Sequence, residues 1–317
     1  MKSERPFVIA GFIAISVVWG STWLAIKIGL GSISPVFGVA IRFTLAALVL
    51  YVILRARGER LSFDRETLRV FLVLGVFSFS LPFVLVYWGE QYIGSGLASI
   101  LFATYPFVVA IFSHLILPGE KLNPFKIAGT LIGFAGIVVI FWTDLSAGTA
   151  GYPGMAAIVL STIFQGFSLV TVKRAGINIP PVQLTLGCMT VSVVVLWIMA
   201  FTLEDAAALR FDAAGIGSIV YLGTFGSVLT FVVYYWLLKR VEALFLSLTA
   251  LITPILAVIL GALFLDEILH GRIYAGAAMV LFGILVANGK DLLARAEKHR
   301  LRFFAGESPR PDDSSSE

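Results

Sequence analysis

Long apolar runs restrict the fold of this chain more than any other feature. A helix of roughly 20 apolar residues spans the hydrocarbon core of a bilayer. Ten stretches qualify, and this number predicts an all-α integral membrane protein with ten transmembrane helices. They cover residues 7–29, 35–54, 70–89, 96–117, 124–142, 153–172, 182–201, 214–238, 244–265 and 273–288.

Composition agrees with a chain that is solvated by lipid. Apolar residues make up 59% of the sequence and charged residues only 13%, whereas soluble domains carry roughly 25% charged residues. The net charge of +4 comes from basic residues scattered in short loops, so we predict no nucleic-acid partner. The single cysteine, Cys188, lies in an apolar run, which indicates a packing residue.

The distribution of lysine and arginine predicts the orientation. With the N-terminus in the cytoplasm and ten helices after it, 19 of the 23 basic residues fall on the cytoplasmic side. Only Arg210 and Arg272 fall in outside loops, while Lys27 and Arg42 lie within helices. Cytoplasmic loops are enriched in basic residues. We therefore expect a multi-pass protein of the cell inner (plasma) membrane with both termini cytoplasmic.

The two halves of the sequence repeat each other at offsets of 146 to 148 residues. Each half contains five predicted helices, and an odd number inverts the second half relative to the first. We predict repeats over 1–148 and 149–290, followed by a basic cytoplasmic tail over 291–317. The matched residues include Gly20 and Gly166, Lys27 and Lys173, Tyr87 and Tyr235, Trp88 and Trp236, Pro106 and Pro254, and Glu120 and Glu267.

Short motifs at these matched positions resemble the drug/metabolite transporter superfamily, in its ten-helix EamA branch. The resemblance covers about residues 7–288 and implies export of small metabolites such as amino acids. Gln165 departs from the pattern, because the repeat would put a partner for Trp19 there. The motifs are Trp19-Gly20-Ser21-Thr22 with Lys27, Tyr105-Pro106 with Gly119-Glu120, and Thr253-Pro254 with Asp266-Glu267.

No catalytic, metal or cofactor motif is visible in the sequence. The histidines lie near helix ends or in the tail, and no phosphate-binding loop or pair of intramembrane carboxylates occurs. Every acidic residue is predicted at a helix end, in a loop or in a tail. Glu90 is read as a solvated helix-end carboxylate and His114 as an interfacial residue. Facilitated diffusion is therefore favoured over coupling through a buried acid.

Two cations lie inside predicted helices. Arg42 comes eight residues into the second helix, where an arginine costs roughly 2.5–3.5 kcal/mol on insertion scales. It could attract a carboxylate-bearing solute, or it could form structural hydrogen bonds, and the sequence leaves both open. Lys27 is closer to the end of its helix, so we expect its side chain to reach the membrane surface.

Aromatic and small polar residues at predicted midplane depth form the rest of the candidate substrate site. The aromatic side chains would line an amphipathic cavity, and the polar ones would supply hydrogen bonds. The aromatic members are Trp19, Trp23, Tyr87, Tyr105 and Tyr235, and the polar members are Ser21, Thr22, Gln165, Ser247 and Thr253.

Proline and glycine add two further expectations. Pro106 and Pro254 lie mid-helix at matched positions, and each is expected to bend its helix. Gly129, Gly133 and Gly136 form a small-residue face. Such faces allow close helix packing, either within the chain or in a homodimer.

These features favour a secondary transporter that works by alternating access between two five-helix bundles. Its partners would be the lipid bilayer and a small-molecule solute, and the resemblance implies export. The alternatives are an intramembrane enzyme acting on a lipid-linked substrate and a passive channel.

The charge distribution generates a prediction about topology. Reporter fusions after Arg69 and after Lys290 should read cytoplasmic, because both sites follow basic segments, and a fusion after Thr149 should read external. A cytoplasmic signal at Thr149 would contradict both the orientation and the inverted repeat.

Overall fold

The structure is a helical membrane bundle. The computed structural model describes residues 5–118, 122–147, 151–176, 179–238, 240–241, 249–269 and 271–289. All regular elements in these ranges are helical. Eight of the described helical segments are long and apolar enough to cross a membrane, and two shorter apolar helices follow them.

The first half of the chain contains seven helices. One six-residue π-helical turn, Gly75–Ser80, joins α3 to α4 without a break, and two turn residues separate α5 from α6. The helices are α1 (Arg5–Gly29), α2 (Pro35–Ala56), α3 (Arg65–Leu74), α4 (Leu81–Glu90), α5 (Ser95–Phe102), α6 (Tyr105–Ile116) and α7 (Pro124–Ala147).

The second half contains six described helices. A second π-helical turn, Thr224–Leu229, joins α10 to α11, and a short 3-10 turn, Ala206–Ala208, precedes α10. The helices are α8 (Tyr152–Ala175), α9 (Pro181–Leu203), α10 (Ala213–Gly223), α11 (Thr230–Leu238), α12 (Thr249–Leu265) and α13 (Gly271–Ala287).

The observed helix ends agree with the predicted apolar stretches to within a few residues. The largest differences are at the third stretch, where α3 begins at Arg65 rather than residue 70, and at the fifth, where α7 ends at Ala147 rather than residue 142. The first turn of α3 is polar and carries an N-cap, so an apolar window misses it. The ninth stretch was predicted to begin at residue 244, which lies outside the described residues.

Local signals set several of these ends. Pro35 and Pro181 begin α2 and α9, where a missing N–H costs nothing. Asp64 caps α3 by accepting hydrogen bonds from the Thr67 N–H at 2.9 Å and the Glu66 N–H at 3.1 Å. These bonds and the Ser62 hydroxyl hold the pKa of Asp64 well below its usual range. Asp212 caps α10 in the same way, and the Gly215 N–H lowers its pKa.

The two π-helical turns lie at matched positions in the two halves. Each interrupts the regular ladder of hydrogen bonds, and a nearby hydroxyl uses a carbonyl of the turn. Ser80 Oγ donates to Gly75 O at 2.7 Å, and Thr230 Oγ1 donates to Gly226 O at 2.8 Å. Such turns occur frequently at functional sites.

Proline breaks the fourth apolar segment but not the ninth. The helix stops after Phe102, and Pro106 lies in the first turn of the next helix. Pro254 lies inside the continuous helix α12. A bend was expected at both prolines, but at Pro106 the helix is interrupted completely, whereas at Pro254 it continues.

The predicted glycine face packs within the chain, where α7 and α13 lie along each other. A Cβ at Gly136 would lie 2.6 Å from Gly276 O, and a Cβ at Gly283 would lie 2.6 Å from Gly129 O. Only hydrogen fits at such separations. Gly133 faces the ring of Phe107 instead. Of the two arrangements left open by the sequence, these glycines use packing inside one chain.

The close contact between α7 and α13 generates a prediction about stability. Gly283→Leu should lower the free energy of unfolding by about 1–3 kcal/mol, because the new side chain must push two backbones apart. Gly217→Leu is the matched control, since nothing lies within 4 Å of a Cβ at that helical position. Thermal denaturation of the purified proteins in detergent measures the difference. Equal melting temperatures would show that the two helices can separate at little cost.

Candidate functional site

Arg42 is the best-defined polar group in the bundle interior. Its side chain is 2% exposed. Three of its N–H groups donate hydrogen bonds across the bundle: Nε to Ser227 Oγ at 2.9 Å, Nη2 to Gly226 O at 3.2 Å and Nη1 to Tyr87 Oη at 3.3 Å. Arg42 thus joins α2 to α4 and to the second π-helical turn.

The π-helical turn explains why the guanidinium can bind there. Its irregular backbone presents the Gly226 carbonyl to Arg42, and the Ser227 hydroxyl lies beside it. Thr22 belongs to the same group, because a Cβ at Gly226 would lie 2.9 Å from Thr22 Cγ2 and 3.5 Å from Arg42 Nη2. Thr22, Arg42 and Tyr87 are therefore brought together by the fold.

The Arg42 charge has no carboxylate partner at ion-pair distance in the part of the chain that the structure describes. Two phenylalanine rings lie over the guanidinium instead, with Cζ 5.1 Å from the Phe83 centroid and 5.4 Å from the Phe43 centroid. Aromatic faces attract a cation, but they do not neutralise it. Three of the five guanidinium N–H groups have acceptors here.

A row of contacting aromatic rings, which we call the aromatic wall, extends from Phe43, beside Arg42, to Tyr235. Phe43 contacts Phe79 at 5.8 Å between centroids, Phe79 contacts Phe231 at 4.9 Å, and Phe231 contacts Trp19 at 6.0 Å. Trp19 then contacts Tyr234 at 5.3 Å. Tyr234 continues to Tyr235 at 5.5 Å, so two predicted site residues, Trp19 and Tyr235, lie on this wall.

A second set of rings lies near the first. Trp23 contacts Phe102 at 5.3 Å, and Phe102 stacks on Tyr105 at 6.1 Å, at the break between α5 and α6. The phenol of Tyr105 lies within electrostatic range of both Tyr234 and Tyr235. Four predicted aromatic residues therefore form a group of two neighbouring ring sets, with Trp19 and Tyr235 in the first and Trp23 and Tyr105 in the second.

The remaining predicted site residues are not tied to this group by the contacts of the described chain. Ser21 Oγ bonds to Tyr221 Oη at 2.6 Å, on the side of α1 that faces α10. Gln165 and Thr253 are half-buried on α8 and α12. Ser247 lies outside the described residues.

Lys27 has partners that the sequence did not indicate. Its half-buried side chain donates to the backbone carbonyls of Glu90 and Ile93, the latter at 2.8 Å. These two carbonyls end α4 and the following turn, so they lack helical partners. The expectation that the amine reaches the membrane surface stays a prediction.

The interpretation of Glu90 as a solvated carboxylate was wrong. Its side chain is 0% exposed, and neither carboxylate oxygen has a hydrogen-bond partner among the residues that the structure describes. The residue does lie at a helix end, as predicted. That end is covered by α8, where Gly154 packs against Gly89, and by the turn that leads into α5.

Sequence reasoning missed the partners of the predicted residues. Ser227, Gly226, Phe231 and Tyr234 all contact predicted site residues. A signal for the first two was present, because Gly75 and Gly223 also match at the repeat offset, with Gly75 at the start of one π-helical turn and Gly223 immediately before the other. Nothing in the sequence distinguished Tyr234 from its neighbour Tyr235.

No three His, Cys, Asp or Glu side chains are grouped closely enough to bind a metal within the described ranges. The described side chains of the site offer hydrogen-bond donors, a cation and aromatic surfaces.

Comparison with known proteins gives matches over nearly the whole chain. The EamA-like transporter family matches twice, over residues 6–142 and 152–289. An uncharacterized transporter of Archaeoglobus fulgidus is 31% identical over 84% of this chain and 94% of that protein. The uncharacterized inner membrane transporter YedA of Escherichia coli K12 is 28% identical over 88% and 90%.

A solved structure has a similar fold. It is described as a crystal structure of a protein and superposes with a TM-score of 0.64 at 22% identity. The match covers 92% of this chain and 98% of the other.

The Arg42 geometry generates a prediction that separates its two interpretations. Arg42→Met should leave the melting temperature in detergent unchanged or raise it. The variant loses hydrogen bonds worth about 0.6 kcal/mol each on average in a membrane protein, but it also removes the cost of a buried charge, roughly 2.5–3.5 kcal/mol. Arg210→Met, at an exposed loop position, is the control. A large loss of stability would mean that Arg42 has a structural role.

Proposed function

Because the chain belongs to the EamA-like transporter family, we propose that it exports a small amphipathic metabolite, such as an amino acid, by alternating access. That the chain is a multi-pass membrane transporter follows from the family and from its apolar helices. The solute class, the direction of transport and the residues of the site are the proposal.

The observation that carries the solute class is the uncompensated charge of Arg42. A buried cation without a carboxylate partner is costly in a low-dielectric interior. A solute carboxylate would neutralise it, and a guanidinium is well shaped to bind one. The apolar body of the solute would then pack along Trp19, Trp23, Tyr105 and Tyr235, with Thr22 and Tyr87 beside the carboxylate. Ser21, Gln165, Ser247 and Thr253 complete the proposed lining.

The proposed mechanism requires two bundles that move relative to each other. We infer ten transmembrane helices in two inverted five-helix repeats, over 1–148 and 149–290, with a cytoplasmic tail over 291–317. The two family matches and the two π-helical turns at matched positions support this division. Alternating access is the usual consequence of an inverted repeat.

We infer the inner membrane as the location, with both termini cytoplasmic. The similarity to a protein named as an inner membrane transporter supports the membrane, and the distribution of basic residues supports the orientation.

Flux measurements in liposomes test the proposal against an enzyme and a channel. Liposomes are loaded with a mixture of labelled amino acids, and efflux is followed at increasing concentrations. A carrier gives saturable efflux that is accelerated by unlabelled solute on the opposite side. Product formation would indicate an enzyme, and non-saturating flux a channel. Saturable efflux that Arg42→Met retains would remove Arg42 from the proposed site.

The proposed lining generates a prediction about access. Cysteines substituted singly for Thr22, Tyr105, Gln165 and Thr253 in a Cys188→Ser background should react with a water-soluble thiol reagent, because a solute pathway is hydrated. Transported solute should slow the reaction. Leu131→Cys, on an exposed apolar position of α7, is the control that lipid should protect. Uniform lack of reaction at the four positions would contradict the proposed pathway.

A further inference from the structure

The carboxylate of Glu90 has no assigned role in the proposed site. It is fully buried, and within the described ranges of the chain neither of its oxygens has a hydrogen-bond partner. Buried polar groups are nearly always hydrogen-bonded, and exceptions require an explanation. An ionised carboxylate in this position would lose its hydration and gain no donor in return.

The two nearby cations direct their donors elsewhere. Lys27 donates to the backbone carbonyls of Glu90 and Ile93. Arg42 donates to Ser227, Tyr87 and Gly226. Both cations lie within electrostatic range of Glu90, but neither binds its carboxylate.

A second carboxylate in the same region is half-buried and shows which donors a carboxylate takes up at this end of the protein. Glu267 accepts hydrogen bonds from the Ser95 N–H at 2.7 Å, the Gly96 N–H at 3.0 Å and the Ser95 hydroxyl at 3.1 Å, at the start of α5. The helix N-terminus further favours its negative charge. Glu267 also lies close enough to repel a charge on Glu90.

No other ionisable group from the elements around α4 compensates Glu90. Helix α5 carries none in its sequence. On α8, Tyr152 faces Phe141 at 5.1 Å between ring centroids, and Lys173 and Arg174 lie in the last turn, at the other end of the helix. On α4 itself, Tyr87 accepts a hydrogen bond from Arg42.

The end of the bundle that contains Glu90, which we call the Glu90 end, is closed by bonds between helices. Besides Lys27 and Glu267, Glu204 accepts from the Ser34 hydroxyl and from the N–H groups of Val36 and Phe37 at 2.7 to 3.0 Å. Ser218 Oγ donates to Ala25 O at 2.6 Å, which joins α10 to α1. The buried Glu90 side chain therefore lies at an end of the bundle where several interhelix hydrogen bonds hold the helices together.

We propose that Glu90 is a proton-binding site, occupied when the Glu90 end is closed and emptied when that end opens to water. The neutral acid is far cheaper to bury without partners than the carboxylate is. Opening would hydrate the side chain, so the ionised form would be stable there. Closing the Glu90 end then takes up one proton.

The sign of the pH dependence follows from this difference in bound protons. The closed conformer binds one more proton than the open one wherever a hydrated glutamate is ionised. Lowering the pH therefore favours closure, and the ratio of open to closed molecules changes by up to about tenfold per pH unit. This inference rests on the proposed alternating access but not on the identity of the solute.

The test uses a cysteine that only an open Glu90 end exposes. Leu97, 7% exposed in the first turn of α5, is replaced by cysteine in a Cys188→Ser background. Purified protein in phospholipid nanodiscs is labelled with a charged thiol reagent across a range of pH. Gln91→Cys, in the exposed turn before α5, is the control for the reagent's own pH dependence.

The expected result is a labelling rate at Leu97→Cys, relative to Gln91→Cys, that rises by up to about tenfold per pH unit. Glu90→Gln should abolish this rise and keep labelling slow, because a neutral amide favours closure at every pH. Glu90→Asp should retain a rise, because the acid is kept. An unchanged slope in Glu90→Gln would overturn the proposal.

Infrared spectroscopy gives a second measurement that does not depend on Glu90→Gln folding well. The closed protein should show the carbonyl stretch of a protonated carboxylic acid, and Glu90→Asp should shift that band. Absence of the band would overturn the proposal even if labelling depends on pH. Saturable solute efflux without a Glu90-dependent slope would count against this inference alone, whereas the slope without such efflux would count against the proposed transport.

Discussion

The absence of hydrogen-bonding solvent in the membrane interior is the constraint on which the rest of the structure depends. It forces the backbone into helices. Serine and threonine hydroxyls then donate hydrogen bonds to backbone carbonyls of their own helix. Ser16 Oγ donates to Phe12 O at 2.8 Å, and Thr44 Oγ1 donates to Ala40 O at 2.7 Å. Carboxylates are stable where helix N-termini supply donors, as Glu204 and Glu267 illustrate.

Departures from this rule are concentrated around the candidate site. The regular helix is lost at two π-helical turns and at the break before Tyr105, and one of these turns gives Arg42 its carbonyl partner. Among the described residues, the Arg42 guanidinium has no carboxylate at ion-pair distance, and the Glu90 carboxyl group has no hydrogen-bond donor. Groups that are incompletely satisfied in one conformer are suited to a protein that binds a solute or a proton in another.

The sequence predicted most of the helix ends, the glycine face of α7 and the depth of Arg42. It did not predict the partners of Lys27 or the burial of Glu90. Both lie near the end of a helix, where hydropathy predicts contact with water. The adjoining turn and α8 cover the Glu90 side chain, however, and the backbone carbonyls of Glu90 and Ile93 bind the Lys27 amine.

By itself, the sequence determined where the long apolar helices lie and which family motifs the chain carries, because length and hydropathy are properties of each segment alone. Only the tertiary structure decided that Arg42 donates a hydrogen bond to Ser227 and that the ring of Trp19 contacts the ring of Tyr234. It also decided that the Glu90 carboxylate has no hydrogen-bond partner among the described residues. These pairings depend on how each helix is rotated and shifted against its neighbours. In lipid, positions that face protein and positions that face lipid are both apolar, so hydropathy does not encode that rotation.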